Sequence, residues 1–509
     1  MIDMLSQALS LLLNPEIYAV ILIGSSLGIF LGAIPGLTGI MAIAIIIPFT
    51  YYMDSIPALI LLISISKSAI YSGGIPAILL NTPGTPADAA TAIDGYPLAQ
   101  RGQALKAMKM GLYASVIGDT FSDLVLILVA GLLASVALKF GPPEYAMLIV
   151  FSLTIIGAVS GKSMLKGLIS AGAGLFLATI GLDPMRGTPR FDFGVIEFYG
   201  GISLIPMLIG LFALAEVLRQ AGHEIVGEKE VRFLPISENP DDNRVTKNDM
   251  KRCLRPILKS SAIGTFLGAI PGIGPTVAAF VSYGEAKRSS KNPPPFGEGN
   301  LEGVAASEAG NNATAGANLI PLLTLGVPGD VTAAVLLSAF MLQGLAPGPL
   351  LFEKHGYIIY TFFLGLLMCN VAYFFLGTLA IKISKSLFRV SKRVVLPIVL
   401  LLCCVGSYAI NNSLFDVGAM LVFGVIGFFM VNFGFTPASM IIAFILEPIL
   451  ERGIRQSLII SQGNPTIFFT HPVAIIFIVL TIFVVASTIR RNYKDRVKLD
   501  KGANTVENG

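Results

Sequence analysis

One lysine lies inside an apolar segment of this chain, where a charged side chain is expected to have either an ion-pair partner or a functional role. Lys67 is the only Lys or Arg among the first 100 residues, and it lies within the apolar run 56–80. An isolated charge at the centre of a bilayer costs several kcal/mol unless it is paired or reaches the interface. The position of Lys67 therefore predicts that its ammonium group either contacts the carboxylate of a substrate or takes the place of a coupling cation. A structural ion pair explains it equally well, and its candidate partners are Asp54, Asp88 and Asp94.

Two acidic residues form a second unusual group. Asp119 and Asp123 are one helical turn apart in the apolar run 108–138. Two carboxylates on one face of a membrane helix indicate either an ion pathway or a polar contact between helices. They are also the best support for an intramembrane enzyme. Against that alternative, the sequence has no Gly-x-Ser-x-Gly motif and no His near an Asp or Ser of an apolar segment.

Small polar residues accompany Pro-Gly sequences in both halves of the chain. Free N–H groups at the start of a broken helix carry about half a positive charge, so they bind a carboxylate at little desolvation cost. For any single residue, helix capping or a hydrogen bond between helices is an equal explanation. The predicted substrate-binding residues are Ser72, Asn81, Thr82, Gly84 and Thr85 in the first half, and Asn311, Asn312, Thr314, Asn318 and Gly329 in the second. The predicted ion-coupling residues are Lys67, Asp88, Glu308 and Asp330.

The elements that position these residues occur twice in the sequence. Residues 28–36 and 264–272 are identical at eight of nine positions, at an offset of 236 residues. Residues 75–84 return in part as 320–329, at an offset of 245. A polar, proline-rich insertion at 291–299 accounts for the difference of nine. Two landmarks in the same order indicate an internal duplication.

The repeated Pro-Gly sequences predict broken helices. Within hydrocarbon, irregular backbone is tolerated only where it is buried in protein or lines a watery cavity. One Pro-Gly can simply kink a helix for packing, but four in matched pairs favour broken helices around a site between two repeats. An ion channel would need rings of selectivity residues, which this architecture does not require. The predicted helix-breaking residues are Pro35, Gly36, Pro83, Pro271, Gly272 and Pro328.

Composition assigns the chain to the membrane. Its 509 residues are 54% hydrophobic and 13% charged, with a mean hydropathy of +0.77, whereas soluble domains carry about 25% charged residues. We predict an all-α polytopic membrane protein with ~10–12 transmembrane helices, some of them broken or re-entrant. The net charge of +4 gives no nucleic-acid signature. The four Cys and three His residues have no metal-ligand spacing, so no metal site is predicted.

The distribution of basic residues predicts the domain order and the orientation. The linker 220–258 and the tail 490–509 are rich in Lys and Arg and should be cytoplasmic, whereas no basic residue precedes the first repeat. The two copies should therefore enter the membrane from opposite faces, as an inverted repeat. The turns 83–84 and 328–329 would then meet near the midplane, with Asn81 and Thr82 facing Asn311 and Asn312. The predicted membrane regions are the repeats 16–219 and 259–450 and a C-terminal segment at 451–489.

Several of these motifs together resemble the large membrane subunit (TctA-type) of the tripartite tricarboxylate transporter family. The resemblance rests on the paired Gly-x-Phe-Leu-Gly-Ala-Ile-Pro-Gly stretches, on 75–84 followed by Asp94-Gly95-Tyr96-Pro97, and on 308–312 leading to 325–329. Pro347-Gly348-Pro349 also fits, and the motifs cover roughly residues 15–450 in consistent order. One departure is Tyr71-Ser72-Gly73-Gly74, where the family usually has Tyr-Gly-Gly-Ser, which moves the hydroxyl donor.

The resemblance implies a permease subunit, not an enzyme, in the bacterial inner membrane. It would work with a small four-helix membrane subunit (TctB-type) and a periplasmic substrate-binding protein (TctC-type), surrounded by membrane lipid. It would import a small organic carboxylate of the tricarboxylate or dicarboxylate class, with Na⁺ or H⁺ as the coupling cation and no other cofactor. Independently, the sequence lacks a Gly-x-x-x-x-Gly-Lys-[Ser/Thr] loop, which argues against nucleotide-driven transport.

Overall fold

The chain folds almost entirely into α-helices. The computed structural model describes residues 2–159, 163–225, 237–387 and 392–506. The α-helices are α1 (Ile2–Leu12), α2 (Pro15–Ala33), α3 (Gly39–Thr50), α4 (Ser55–Ser72), α5 (Gly74–Leu80), α6 (Asp88–Gln100), α7 (Ala104–Ala137), α8 (Pro142–Val159), α9 (Met164–Ala178), α10 (Leu204–Leu208), α11 (Ala215–Ile225), α12 (Lys247–Gly268), α13 (Gly274–Ser289), α14 (Leu301–Ala317), α15 (Leu319–Leu325), α16 (Val331–Leu342), α17 (Pro349–Lys354), α18 (Gly356–Leu387), α19 (Lys392–Asn411), α20 (Leu414–Asn432), α21 (Pro437–Ile460) and α22 (Pro472–Val506). A π-helical segment (Ile209–Leu214) joins α10 to α11, and single 3₁₀ turns occupy Ile196–Gly200, Pro240–Asp242 and Pro465–Phe469. Two short strands, β1 (Gly181–Leu182) and β2 (Pro189–Arg190), pair antiparallel.

Many of these helices are long and apolar enough to cross a bilayer. Within the described residues there are eight such helical segments: Pro15–Ala33, Ser55–Leu80, Ala104–Ala137, Leu204–Gly222, Gly356–Ser384, Arg393–Asn411, Leu414–Asn432 and Pro472–Arg490. Four shorter apolar helices accompany them: Gly39–Thr50, Pro142–Ala158, Met164–Ala178 and Val331–Leu342. The predicted all-α polytopic membrane fold is confirmed.

The two halves interrupt their buried helices at equivalent positions. In the first half, Gly73 separates α4 from α5, and the C-cap residue of α5, Asn81, has a left-handed backbone with φ 53°. In the second half, Asn318 separates α14 from α15, and the C-cap Gly326 has φ 71°. Each residue of the first pair is 245 positions before its counterpart, which is the offset of the sequence repeat. The duplication therefore persists in backbone conformation.

The Pro-Gly sequences lie between helices rather than within them. Pro35 and Gly36 fall between α2 and α3, and their counterparts Pro271 and Gly272 fall between α12 and α13. Pro83 follows the end of α5, and Pro328 follows the end of α15. Proline cannot donate the N–H that a continuing helix requires, which explains why each helix ends before it.

Helix packing repeats as well. A side chain on Gly28 of α2 would collide with the carbonyl oxygen of Ile65 on α4, and one on Gly264 of α12 would collide with the carbonyl oxygen of Gly310 on α14. Ile65 and Gly310 are again 245 residues apart. Glycine lets two backbones approach closely, as small residues do between membrane helices generally. The α2–α4 and α12–α14 pairs are thus the same packing unit used twice.

The nine-residue insertion in the second half is held by a carboxylate from the first half. The insertion falls in the loop 290–300, between α13 and α14. Asp94 of α6 is fully buried against this loop. Its Oδ1 accepts hydrogen bonds of 2.7–2.9 Å from three backbone N–H groups, those of Gly297, Gly299 and Asn300. Such charge-assisted bonds to backbone N–H groups are stronger than neutral ones, so the loop is firmly anchored.

Two compact units can be distinguished, and each contains residues from distant parts of the chain. The larger unit comprises residues 1–138 and 202–432, and so includes helices of both predicted repeats. Its centre is α14, in which every residue from Leu301 to Ala317 is buried, together with α4, most of which is buried. The composition of α14, largely Ala, Gly, Ser, Thr and Asn, allows neighbouring helices to pack against all of its faces.

The smaller unit comprises residues 139–201 and 433–509. Within it, α21 packs on α8 and α9, and charged side chains join α21 to the β1–β2 segment. Arg190 donates to Glu451 at 2.8 Å, and Arg455 donates to Asp183 at 2.8 Å. The hydrogen bond from Arg455 is the main reason that the pKa of the Asp183 carboxyl lies well below its usual range.

Candidate functional site

Two buried carboxylates approach the break between α4 and α5. Asp88 begins α6, Glu308 lies in the middle of α14, and their exposed fractions are 0% and 1%. A side chain on Gly73 would collide with the Asp88 carboxylate, and one on Gly74 would collide with that of Glu308. The two adjacent glycines therefore leave room for a carboxylate from each half of the chain. A polar centre is thereby created inside the larger unit.

Hydrogen bonds to Glu308 come from three other side chains. Thr91 of α6 donates to Oε1 at 2.8 Å, and Ser115 of α7 donates to Oε2 at 3.0 Å. The Asn312 amide lies 3.3 Å from Oε2 and also donates to Ser115 at 2.9 Å. Because Thr91 and Ser115 belong to the first half and Asn312 to the second, the network joins both halves of the chain.

Asp88 is bound in a similar way. Its Oδ2 accepts from the backbone N–H of Thr85 at 2.7 Å and from the Thr85 hydroxyl at 2.8 Å. Asn311 donates to its Oδ1 at 3.3 Å. Of the predicted site residues, the structure thus brings together Thr85, Asp88, Glu308, Asn311 and Asn312. Among the residues that the structure describes, no Lys or Arg forms an ion pair with either carboxylate.

Other predicted residues lie elsewhere. Asn81 and Thr82 are exposed, and the Thr82 hydroxyl donates to the carbonyl oxygen of Leu80 at 3.2 Å. Asn312 is fully buried and bonded within the network, including to the carbonyl oxygen of Glu308 at 3.0 Å. The expectation that Asn81 and Thr82 face Asn311 and Asn312 is therefore not met. Asn81 is instead the exposed C-cap residue of the short helix α5.

Two of the predicted hydroxyl donors are bonded to helix backbone. Ser72 donates to the carbonyl oxygen of Gly28 at 3.2 Å, across the α2–α4 contact. Thr314 donates to the carbonyl oxygen of Asn311 in its own helix at 2.7 Å. In this conformation both hydroxyl groups bond to helix backbone. A structural role of this kind was the alternative that the sequence left open.

The Pro-Gly turns are held within their own repeats. The Gly84 N–H donates to the carbonyl oxygen of Gly73 at 3.2 Å, and the Gly272 N–H donates to that of Gly329 at 2.6 Å. Asp330 caps α16 by accepting from the backbone N–H of Ala333 at 2.8 Å. Each turn therefore closes over the helix break of its own half.

A cavity beside Asn318 is only large enough for a water molecule. Its volume is about 10 Å³, and its lining includes Ser66, Asn318 and Thr332. A cavity needs about 10–15 Å³ to hold one water. In this conformation the cavity is therefore too small for an organic carboxylate.

Lys67 pairs with two residues that the sequence analysis had placed in a separate group. Its Nζ lies 3.0 Å from Asp119 and 2.6 Å from Asp123, and all three side chains have an exposed fraction of 0%. Asn370 of α18 also donates to Asp123, at 2.7 Å. The predicted partners Asp54, Asp88 and Asp94 are wrong. Asp54 is exposed, whereas Asp88 and Asp94 accept the hydrogen bonds described above.

In this pairing Asp119 and Asp123 take the second of the two predicted arrangements, and their part in an ion pathway stays a prediction. The two carboxylates join α7 to α4, so they form a polar contact between helices. One ammonium group balances one of the two negative charges. Lys67 contacts both carboxylates, so the pair on which the enzyme alternative rested is bound to a buried lysine.

Sequence reasoning missed several members of the central network. Thr91, Ser115, Gly73 and Gly74 were not selected, because small hydroxyl residues and glycines are common in membrane helices. Two signals were available. The Gly73-Gly74 doublet interrupts an apolar run, and Thr91 follows Asp88 by three residues, which places both on one face of a helix.

Comparison with known proteins gives a consistent result. The sequence profile described as "Tripartite tricarboxylate transporter TctA family" matches residues 18–442. A protein from Agrobacterium vitis, named "Uncharacterized 52.8 kDa protein in TAR-I ttuC' 3'region", is 36% identical over 455 residues, which is 89% of each chain. A second from the same organism, "Uncharacterized protein in TAR-II ttuC' 3'region", is 37% identical over 211 residues, covering 42% of this chain and 87% of that protein. No solved structure matches the chain.

Proposed function

The chain belongs to the tripartite tricarboxylate transporter TctA family, and on that basis we propose that it is the permease subunit of a secondary transporter. It imports a small organic carboxylate, of the tricarboxylate or dicarboxylate class, across a bacterial inner membrane. A Na⁺ or H⁺ gradient drives the import. A small four-helix membrane subunit and a periplasmic substrate-binding protein complete the system, and no other cofactor is required.

The observation that carries this proposal is the meeting of Asp88 and Glu308 at the broken helix of the first half. Both are buried. Side chains of α6, α7 and α14 donate to Glu308, and Thr85 and a side chain of α14 donate to Asp88. A further anion will not enter beside two carboxylates in a medium of low dielectric constant unless positive charge enters with it. This charge balance supports cation coupling.

The duplicated architecture supports transport in a second way. Transporters built from inverted repeats carry their sites at broken helices between the repeats, near the bilayer midplane. In this chain the Pro-Gly turns after α5 and α15 close over such breaks. We infer that opening of one turn at a time admits substrate from one side. The exposed donors Asn81 and Thr82 then meet the substrate first, and Thr85 and Asn311 lie deeper, beside Asp88.

Reconstituted uptake tests the proposal. Proteoliposomes that contain this chain and its small membrane subunit are supplied with purified binding protein and a panel of radiolabelled carboxylates. We expect accumulation of one carboxylate class only under an inward Na⁺ or H⁺ gradient, and little uptake by this chain alone. Chemical conversion of the substrate without accumulation would instead favour an enzyme, and full-rate uptake by the lone chain would contradict the need for partners.

A further inference from the structure

A basic pocket lies between α12, the end of α13 and the start of α14, apart from the transport site. Its volume is about 230 Å³. Four cationic side chains line it, together with two carboxylates: Arg252, Arg255, Lys259 and Lys291, with Glu285 and Glu302. Four positive and two negative charges leave a net charge of +2.

The two carboxylates are already paired with two of the cations. Arg252 donates to Glu302 at 2.6 Å, and Lys259 pairs with Glu285. Within the described parts of the chain, the side chains of Arg255 and Lys291 form no ion pair or hydrogen bond. The pocket therefore presents two uncommitted cations. The hydroxyl groups of Ser289 and Ser290 also line it and add hydrogen-bonding capacity.

The exposed face of α12 changes from basic to apolar beside this pocket. Lys251, Arg255 and Lys259 are exposed on successive turns, and the same stripe continues as Ala262 and Phe266, the latter with 69% of its surface exposed. Seven residues separate Lys259 from Phe266, a rise of about 10 Å along a helix. A stripe that changes from basic to apolar over that distance matches the step from the headgroup layer to the acyl chains.

We propose that this pocket binds the phosphate headgroup of an anionic membrane phospholipid. Arg255 and Lys291 bind the phosphate oxygens, and the acyl chains lie along Ala262 and Phe266. Basic pockets beside membrane helices bind anionic headgroups because they place positive charge at the level of the headgroup layer. The apolar continuation of the stripe favours a lipid over a soluble anion, since a free phosphate gains nothing from Phe266.

Lipid binding to the purified, delipidated full chain tests the assignment. Native mass spectrometry in detergent measures apparent affinity for phosphatidylglycerol, for zwitterionic phosphatidylcholine and for inorganic phosphate. We expect phosphatidylglycerol to bind at least tenfold more tightly than phosphatidylcholine, and millimolar inorganic phosphate to compete poorly. Equal affinity for the two lipids would overturn the proposal. Full competition by inorganic phosphate would also overturn it, and would assign the pocket to a soluble anion.

A pair of matched double variants locates the binding. Arg255→Gln with Lys291→Gln removes the two uncommitted cations, and we expect roughly a 25-fold loss of phosphatidylglycerol affinity, because each basic residue near an anionic surface contributes about fivefold. Lys287→Gln with Lys354→Gln removes the same charge from two exposed positions that lie neither in the pocket nor on the basic stripe of α12. We expect a loss of less than threefold there. Equal losses in the two double variants would show that only diffuse charge matters, and would contradict the pocket.

Discussion

The Thr91 hydroxyl of α6 donates a 2.8 Å hydrogen bond to the Glu308 carboxylate of α14, and so joins the first half of the chain to the second. Both residues are buried, and the bond lies beside the helix break at Gly73 and Gly74. A hydrogen bond to a carboxylate contributes about 1.5–3 kcal/mol. A change in the charge of Glu308 therefore alters how firmly the two halves are held together at this point.

The first prediction removes this bond. Thr91→Val keeps the shape of the side chain but leaves Glu308 without one donor. We expect cation-driven uptake to fall by roughly 10- to 100-fold, since a lost bond to a charged group costs about 1.5–3 kcal/mol. Thr91→Ser retains the hydroxyl and should keep most of the activity. Uptake is normalised to folded protein in the membrane, and equal activity of the two variants would remove Thr91 from the coupling network.

The second prediction concerns the charges at the site. Glu308→Gln and Asp88→Asn each neutralise a carboxylate that we propose to require a cation. We expect both variants to lose gradient-driven accumulation but to retain exchange of labelled for unlabelled substrate across the membrane. Asp54→Asn removes an exposed carboxylate without a side-chain capping bond and serves as the control. Normal accumulation by both site variants would refute the coupling role.

The third prediction concerns Lys67. Lys67→Met leaves Asp119 and Asp123 buried without their counter-ion, and breaking a buried ion pair costs about 3–5 kcal/mol. We expect low membrane abundance and a lowered melting temperature. The triple variant Lys67→Met, Asp119→Asn, Asp123→Asn removes all three charges and should recover abundance.

Transport by that triple variant separates two roles for the cluster. If the cluster only joins α4, α7 and α18, uptake per folded molecule recovers with abundance. If it takes part in ion coupling, abundance recovers and accumulation does not. Wild-type melting of the single variant Lys67→Met would contradict the buried ion pair itself.

The fourth prediction tests Asn81 without disturbing the backbone. Asn81 has a left-handed conformation, and its counterpart in the second half is Gly326, so Asn81→Gly preserves the turn and removes only the side-chain donor. We expect normal abundance and at least a tenfold weaker apparent affinity for the carboxylate. The matched control is Asn412→Gly, another left-handed Asn, with φ 51°. Unchanged affinity in Asn81→Gly would assign Asn81 to helix capping alone.

The fifth prediction concerns topology. On a background without the four native cysteines, single cysteines are introduced at position 5 and at position 240 and labelled from outside the cell with an impermeant maleimide. We expect labelling at position 5 and protection at position 240, as the distribution of basic residues predicts. The same result at both positions would contradict the inverted repeat, and the reverse pattern would contradict the predicted orientation.

Some features of this protein are readable from sequence because they depend on the backbone. Pro35 and Pro271 are each followed by a glycine with a positive φ angle, a combination that favours a helix break, so the repeated breaks follow from local chemistry. The ion pairing of Lys67 does not, because Asp119 and Asp123 are 52 and 56 residues away and only helix packing brings them close. Ser115 carries no distinctive signal, and Thr91 carries only its spacing of three residues from Asp88. Their role arises from Glu308, which approaches them from the other half of the chain.

The hydrogen bonds between loop 290–300 and Asp94 have a consequence for how the two duplicated halves relate to each other. The first half supplies the carboxylate, and only the second half supplies the three amides that it binds. A chain assembled from two first halves would contain two copies of Asp94 but none of the three backbone amides that bind it. Two buried carboxylates would then lack these hydrogen bonds. A chain assembled from two second halves would contain the three amides without the carboxylate that they bind. At this contact the two halves are therefore complementary and not interchangeable.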